Sequence, residues 1–149
     1  MYLYGSKSYN LDAKARLTLP ANYRKQFEDN MLLLIPLKDA LYGFTPEGFG
    51  KWVNSFFEKD GKKFDAGNRK HVELRRMLTA SAVPLDIDSA GRIALGKIDA
   101  SARARLGLER EVTVVGVEDH FEVWNTARWE AEQADVADKL DALMFGGEL

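Results

Sequence analysis

Hydrophobic and polar positions alternate along parts of this chain and cluster in others. Over residues 11–19 the apolar side chains take the odd positions and the polar ones the even positions. A period of two predicts an extended segment with Asp12, Lys14, Arg16 and Thr18 on its solvent face. Unbroken apolar runs at 31–35 and 112–117 predict buried strands, and 41–46 and 121–126 predict two more. Short helices are expected over 23–27 and 98–106, the second stopped by Gly107. Val53, Phe56, Phe57 and Phe64 supply an apolar stripe that continues through residues 71–78, so 50–83 reads as mainly helical with a break at Gly61. Trp129, Val136, Leu140 and Leu143 mark a second helical region over 126–143, ending near Gly146 and Gly147, with the last few residues read as loose.

These elements recur in one order. Leu11-Asp12-Ala13-Lys14-Ala15-Arg16-Leu17-Thr18-Leu19-Pro20 is matched by Ile87-Asp88-Ser89-Ala90-Gly91-Arg92-Ile93-Ala94-Leu95-Gly96 at an offset of 76 residues. Each copy leads into a short helix, an apolar strand, a second strand, and a helix begun by Phe49 or Trp52 in one half and Trp129 in the other. Such internal similarity predicts two copies of one supersecondary unit. Three or four short strands bury too little surface to stand alone. The two copies are therefore expected to pack about a shared pseudo-twofold axis into one β-core with helices outside, by domain swapping or by interdigitation of strands. The resulting fold class is α+β, mainly β with peripheral helices. Its expected divisions are 1–50 and 81–126 for the repeats, 51–80 for a connecting helical region and 127–149 for a helical tail.

Composition narrows the function. There is no cysteine among the 149 residues, which excludes disulfides, thiolate nucleophiles and cysteine-ligated zinc. No stretch approaches 18 apolar residues, and the N-terminus lacks the pattern of a signal peptide, so an unexported, cytoplasmic protein with no membrane partner is expected. The formal charge is only -2, yet residues 1–38 carry a net +3, residues 59–76 a net +4 and residues 109–149 a net -8. Segregation of this kind can set a basic face against an acidic one, or reflect ordinary solvated surfaces.

The paired Asp-x-x-x-Arg segments are the candidate chemistry. On a straight strand Asp12 and Arg16 would stand about 13 Å apart, beyond direct pairing. Ser89-Ala90-Gly91 is turn-like, and a tight turn would let each Asp accept from its own Arg or from backbone amides. Ala15 stands where Gly91 stands, so the first turn must avoid positive φ or carry strain. Arginine's planar fork suits a phosphate or the edge of guanine, and Lys14 adds a cation for the backbone. Two readings stay open on the residues alone: the pairs staple hairpins, or they touch nucleic acid.

With its two motifs in register, the chain resembles the MraZ family, built from two swapped-hairpin domains of the AbrB/SpoVT type. The resemblance rests on Gly5, on residues 11–20 followed by Tyr23-Arg24, on Asp88-Ser89-Ala90-Gly91-Arg92-Ile93, on Glu73-Leu74-Arg75-Arg76-Met77-Leu78, and on the late segment from Val114 to Trp124. It implies a transcriptional regulator, commonly a repressor of its own division and cell-wall gene cluster, that binds double-stranded DNA at repeated promoter boxes and self-associates into rings. It further implies nucleoid association and no cofactor or small-molecule substrate. By the same resemblance Arg16, with Lys14 beside it, is the leading DNA contact and Arg92 its second-repeat match. Asp12 and Asp88 support the loops, and Arg24 is a basic position divided between DNA and structure. The family usually has glycine where Ala15 stands, which leaves the first turn type open.

Other groups read more plainly. His71 and His120 lack a ligand pattern and are expected on a helix surface and in a turn. Asp86 and Asp88 are acceptors around a turn rather than a catalytic pair, and no nucleophile, base and orienting group assemble, so no enzymatic activity is expected. The tryptophans are expected in cores or oligomer contacts. The main rival to a DNA-binding regulator is an oligomeric protein-interaction module that recruits a partner through its acidic C-terminal helix; an antitoxin of the same broad fold is another.

Overall fold

The computed structural model describes residues 2–147, and the expectation for the last residues falls partly outside that range. Among the described residues, eight strands and six α-helices follow in the order β1 (Ser6–Asn10), β2 (Arg16–Thr18), α1 (Ala21–Arg24), β3 (Met31–Pro36), β4 (Leu41–Phe44), α2 (Pro46–Ser55), α3 (Arg69–Ser81), β5 (Val83–Asp86), β6 (Arg92–Ala94), α4 (Ala100–Leu106), β7 (Glu111–Gly116), β8 (Phe121–Asn125), α5 (Thr126–Gln133) and α6 (Val136–Phe145). One sheet has the strand order β1-β7-β8-β4-β3-β5, and β2 pairs with β6 in a separate two-stranded ribbon. Every pairing is antiparallel.

That order reads the same from either edge once the repeats are matched. The first strand of repeat one lies against β7 of repeat two, and the first strand of repeat two lies against β3 of repeat one. Interdigitation is thus how the two halves complete each other, giving the expected α+β fold. The junction between the halves is the β4–β8 pairing, where Tyr42 faces Glu122 and Gly43 faces Phe121. A side chain at Gly43 would run into the Phe121 ring, so the close approach of the two halves requires glycine there.

Alternation along the strands divides the core. Leu32 and Leu34 of β3 join Leu17, Leu19, Ile93, Leu95, Val112, Val114 and Phe121 in the larger cluster. Leu33 and Ile35 instead meet Phe44, Phe49, Val53 and Phe57 beneath α2 and α3. The sheet is therefore covered by the ribbon with α1 and α4 on one face and by α2 and α3 on the other.

Helix starts follow the local sequence. Thr45 accepts from the Gly48 N–H at 2.9 Å ahead of Pro46, Asn68 accepts from Lys70 and His71 ahead of α3, and Asn125 accepts from Arg128 ahead of α5. The expected helical stretch over 50–83 is shorter than its periodicity suggests. Between Ser55 and Arg69 the chain leaves the helix, turning at Asp60 and Gly61 with φ of 53° and 75°. Phe64 lies in this connection, edge-on to Phe57 at 5.1 Å, so its helical spacing is a coincidence of packing on one core. The tail helix is likewise two helices, broken at Asp135 with φ of 54°.

His120 lies in the turn between β7 and β8, as expected, and is buried there. The residue is 7% exposed, and its ring stacks on Tyr42 and Phe44 with centroids 4.9 and 5.0 Å away. Its nitrogens lie 2.8 Å from Asp119 and 3.0 Å from Glu122, and Trp124 donates to the other Glu122 oxygen at 2.9 Å. Burial is the largest single influence and works against charge on both His120 and Glu122, but the hydrogen bonds and opposite charges of Asp119, Glu122 and His120, with Trp124 and Tyr42 donating to Glu122, together outweigh it, raising His120 and lowering Glu122 from their ordinary values. The same burial, with the Glu122 charge beside it, pushes Tyr42 up to about 12. This network ties the two repeats at their junction. Among the described residues, no helix is long and apolar enough to cross a membrane.

Candidate nucleic-acid interface

Each Asp-x-x-x-Arg segment is a tight turn held by its aspartate. In the first, Asp12 Oδ1 accepts from the backbone N–H of Lys14 and of Arg16, both at 2.9 Å, and Oδ2 accepts from Arg16 Nε at 2.6 Å. The Ala15 N–H closes the turn onto the Asp12 carbonyl at 2.9 Å, and the Asp12 N–H reaches the Arg16 carbonyl at 3.1 Å. The second turn repeats this set bond for bond. Asp88 Oδ1 accepts from Ala90 at 2.9 Å and Arg92 at 2.8 Å, Oδ2 accepts from Arg92 Nε at 3.0 Å, and Gly91 closes onto the Asp88 carbonyl.

The extended reading of residues 11–19 therefore gives way to a turn over 12–15, and it is the turn that brings Asp12 and Arg16 into contact. Ala15 accepts a positive φ of 57° to make it, where Gly91 sits at 79°. Backbone N–H donation from the arginine of each pair is the main reason both aspartates are held below their ordinary value of 3.8. Both carboxylates are thus charged at neutral pH and remain able to orient the guanidinium groups.

The ribbon decides where the arginines go. Leu17 pairs with Ile93, and both side chains are fully buried. Their neighbours Arg16, Thr18, Arg92 and Ala94 consequently share the opposite, outward face. Arg16 pairs with Ala94, and Arg92 lies two residues back along the partner strand. Such diagonal positions are roughly 7–8 Å apart. Each arginine is about one-third exposed, with its Nε committed to aspartate. Among the described residues, the terminal guanidinium nitrogens of Arg16 and Arg92 have no hydrogen-bond partner, and the paired geometry aims them from one face. Two oriented forks of this kind suit phosphate oxygens or base edges.

Lys14 is exposed at the tip of the first turn, where the second carries Ala90. Arg24, the last residue of α1, lies instead across the second turn: a side chain at Gly91 would collide with its guanidinium. Arg24 Nε is buried without a hydrogen-bond partner among the described residues. A β-carbon at position 91 would therefore add the clash with Arg24 to the strain of positive φ that Ala15 bears alone. The sequence reading missed Lys97, an exposed cation following Leu95, whose N–H donates to the Ala15 carbonyl at 3.0 Å. The residues before it, Leu95 and Gly96, lie against the backbone of the first turn.

A model of the family described as "MraZ protein, putative antitoxin-like" matches twice, over residues 2–66 and 78–142. The protein called Transcriptional regulator MraZ in Ligilactobacillus salivarius (strain UCC118) is 30% identical over 92% of this chain and 90% of its own length. Its namesake in Mycoplasmoides gallisepticum (strain R(low / passage 15 / clone 2)) is also 30% identical, over 93% of this chain and 92% of its own length.

Proposed function

The chain belongs to the MraZ family, and on that premise we propose that it is a sequence-specific, DNA-binding transcriptional regulator acting as a homo-oligomeric ring. In this reading it represses its own division and cell-wall gene cluster by occupying repeated promoter boxes, in the cytoplasm and in association with the nucleoid. The observation that carries the proposal is the pair of matching turns on one outward face, each with an arginine oriented by aspartate and open at its outer edge. Arg16 and Arg92 are the DNA contacts, Lys14 adds attraction to phosphate, and Asp12 and Asp88 set the turns. Arg24 acts in part through the second turn. Residues 1–50 and 81–126 are the two DNA-facing repeats, joined by 51–80 and followed by the tail at 127–149.

A ring would present many such faces to repeated boxes, and linking individually weak contacts raises their combined affinity. Counterion release gives the complex a strong salt dependence. The test is fluorescence anisotropy with DNA from immediately upstream of the protein's own gene against a scrambled duplex of the same composition. The proposal expects at least tenfold preference for the upstream DNA; equal affinity for both would contradict sequence-specific regulation at that site. A second reading, a protein-interaction module acting through the acidic tail, is favoured by the exposed apolar face of α6 and predicts capture of a partner without DNA selectivity.

A further inference from the structure

The least satisfied surface of the molecule is α6. None of its residues is buried, and Val136, Leu140, Leu143 and Met144 expose 40%, 51%, 65% and 60% of their surfaces. Spacings of four, three and one place these four side chains on a single helical face. A ten-residue helix with an exposed apolar face gains little stability by itself and becomes worthwhile when that face is covered. Asp135, Asp138 and Asp141 make the segment acidic, against Lys139 alone.

A complementary surface exists elsewhere on the same chain. On α3, Leu74 and Met77 are 39% and 68% exposed, one turn apart, and are bordered by Lys70 and Arg76. The helix as a whole carries Arg69, Lys70, Arg75 and Arg76 against Glu73. Two copies of α6 meeting each other would bring acidic segments together, whereas α6 against α3 matches apolar rows and opposes charges. We propose that the occupant of the α6 face is α3 of a second copy of this chain. The contact is heterologous: each copy gives one helix and receives another, so repetition closes a ring when the rotation between copies allows it. This inference rests on the self-association reading above and identifies the surfaces through which it occurs.

Two variants test it. In one, Leu140→Glu and Leu143→Glu remove the donor face; in the other, Leu74→Glu and Met77→Glu remove the acceptor face. All four positions are exposed, and circular dichroism checks that both variants remain folded. Size-exclusion chromatography with light scattering should give an oligomer for the wild type, monomers for each variant, and a heterodimer that goes no further for their equimolar mixture, since one junction remains intact. An oligomer that persists in both variants would overturn this contact while leaving self-association standing. Loss in the α6 variant alone would point to α6 meeting α6 and overturn the proposal, as would a mixture that stays monomeric. A wild-type monomer at all concentrations would overturn both this inference and the ring, while the separate anisotropy measurement would still decide DNA recognition.

Discussion

The two Asp-Arg turns are alike in hydrogen bonding and unlike in what surrounds them. Asp12 and Asp88 accept from the same backbone positions and from the same atom of their arginines. Yet the first turn holds alanine at positive φ and shows a lysine at its tip, while the second holds glycine beneath Arg24 and shows alanine. Turn shape is therefore dictated by the aspartate, and the residue at the left-handed position answers to its neighbours. The first turn is open enough to keep a β-carbon and carries its cation, Lys14, at its exposed tip; the second is packed, with the Arg24 cation lying against it.

Several substitutions should break or sharpen this contrast. Gly91→Ala imposes both a strained φ and a collision with Arg24, and should lower unfolding free energy by roughly 1–3 kcal/mol in urea titrations. The reverse change in the first turn, Ala15→Gly, relieves strain but loosens the unfolded chain, so its net effect should stay within about 1 kcal/mol. If the two changes are equal in size and opposite in sign, the neighbours do not matter. Acid should unmake both turns together. Because folding lowers the aspartate pKa, the stabilisation is fully present above the ordinary value of 3.8 and is lost as pH falls through the lower folded value. Backbone amide shifts of Lys14, Arg16, Ala90 and Arg92 should report that transition in NMR spectra. Asp12→Asn should remove it from the first turn and leave it in the second.

The repeat, the strands at residues 31–36 and 111–116 and the role of Gly107 are legible in the sequence, because periodicity and stop signals are local. The alternation at 11–19 misleads for the same reason: its even positions do face outward in part, but a side-chain carboxylate folds the backbone into a turn that polarity alone does not encode. Strands β1 and β5 escape a local reading because each is completed by a partner from the other repeat. Likewise, the buried role of His120 depends on Tyr42 and Phe44, far away in the chain. Asp12, Arg16, Asp88 and Arg92 could be named from spacing. Their common face and the packing of Arg24 on the second turn depend on the β2–β6 register.

The central claim is that both turns address one DNA. Its most direct test is the salt dependence of binding to the upstream duplex, by anisotropy, for the wild type, Arg16→Ala, Arg92→Ala and the double variant. The account predicts that each single change weakens binding by about 1–3 kcal/mol and makes the plot of log affinity against log salt shallower by about one, with the double variant losing more than either. An unchanged affinity and slope in either single variant would contradict it, and would leave that turn as a structural element alone.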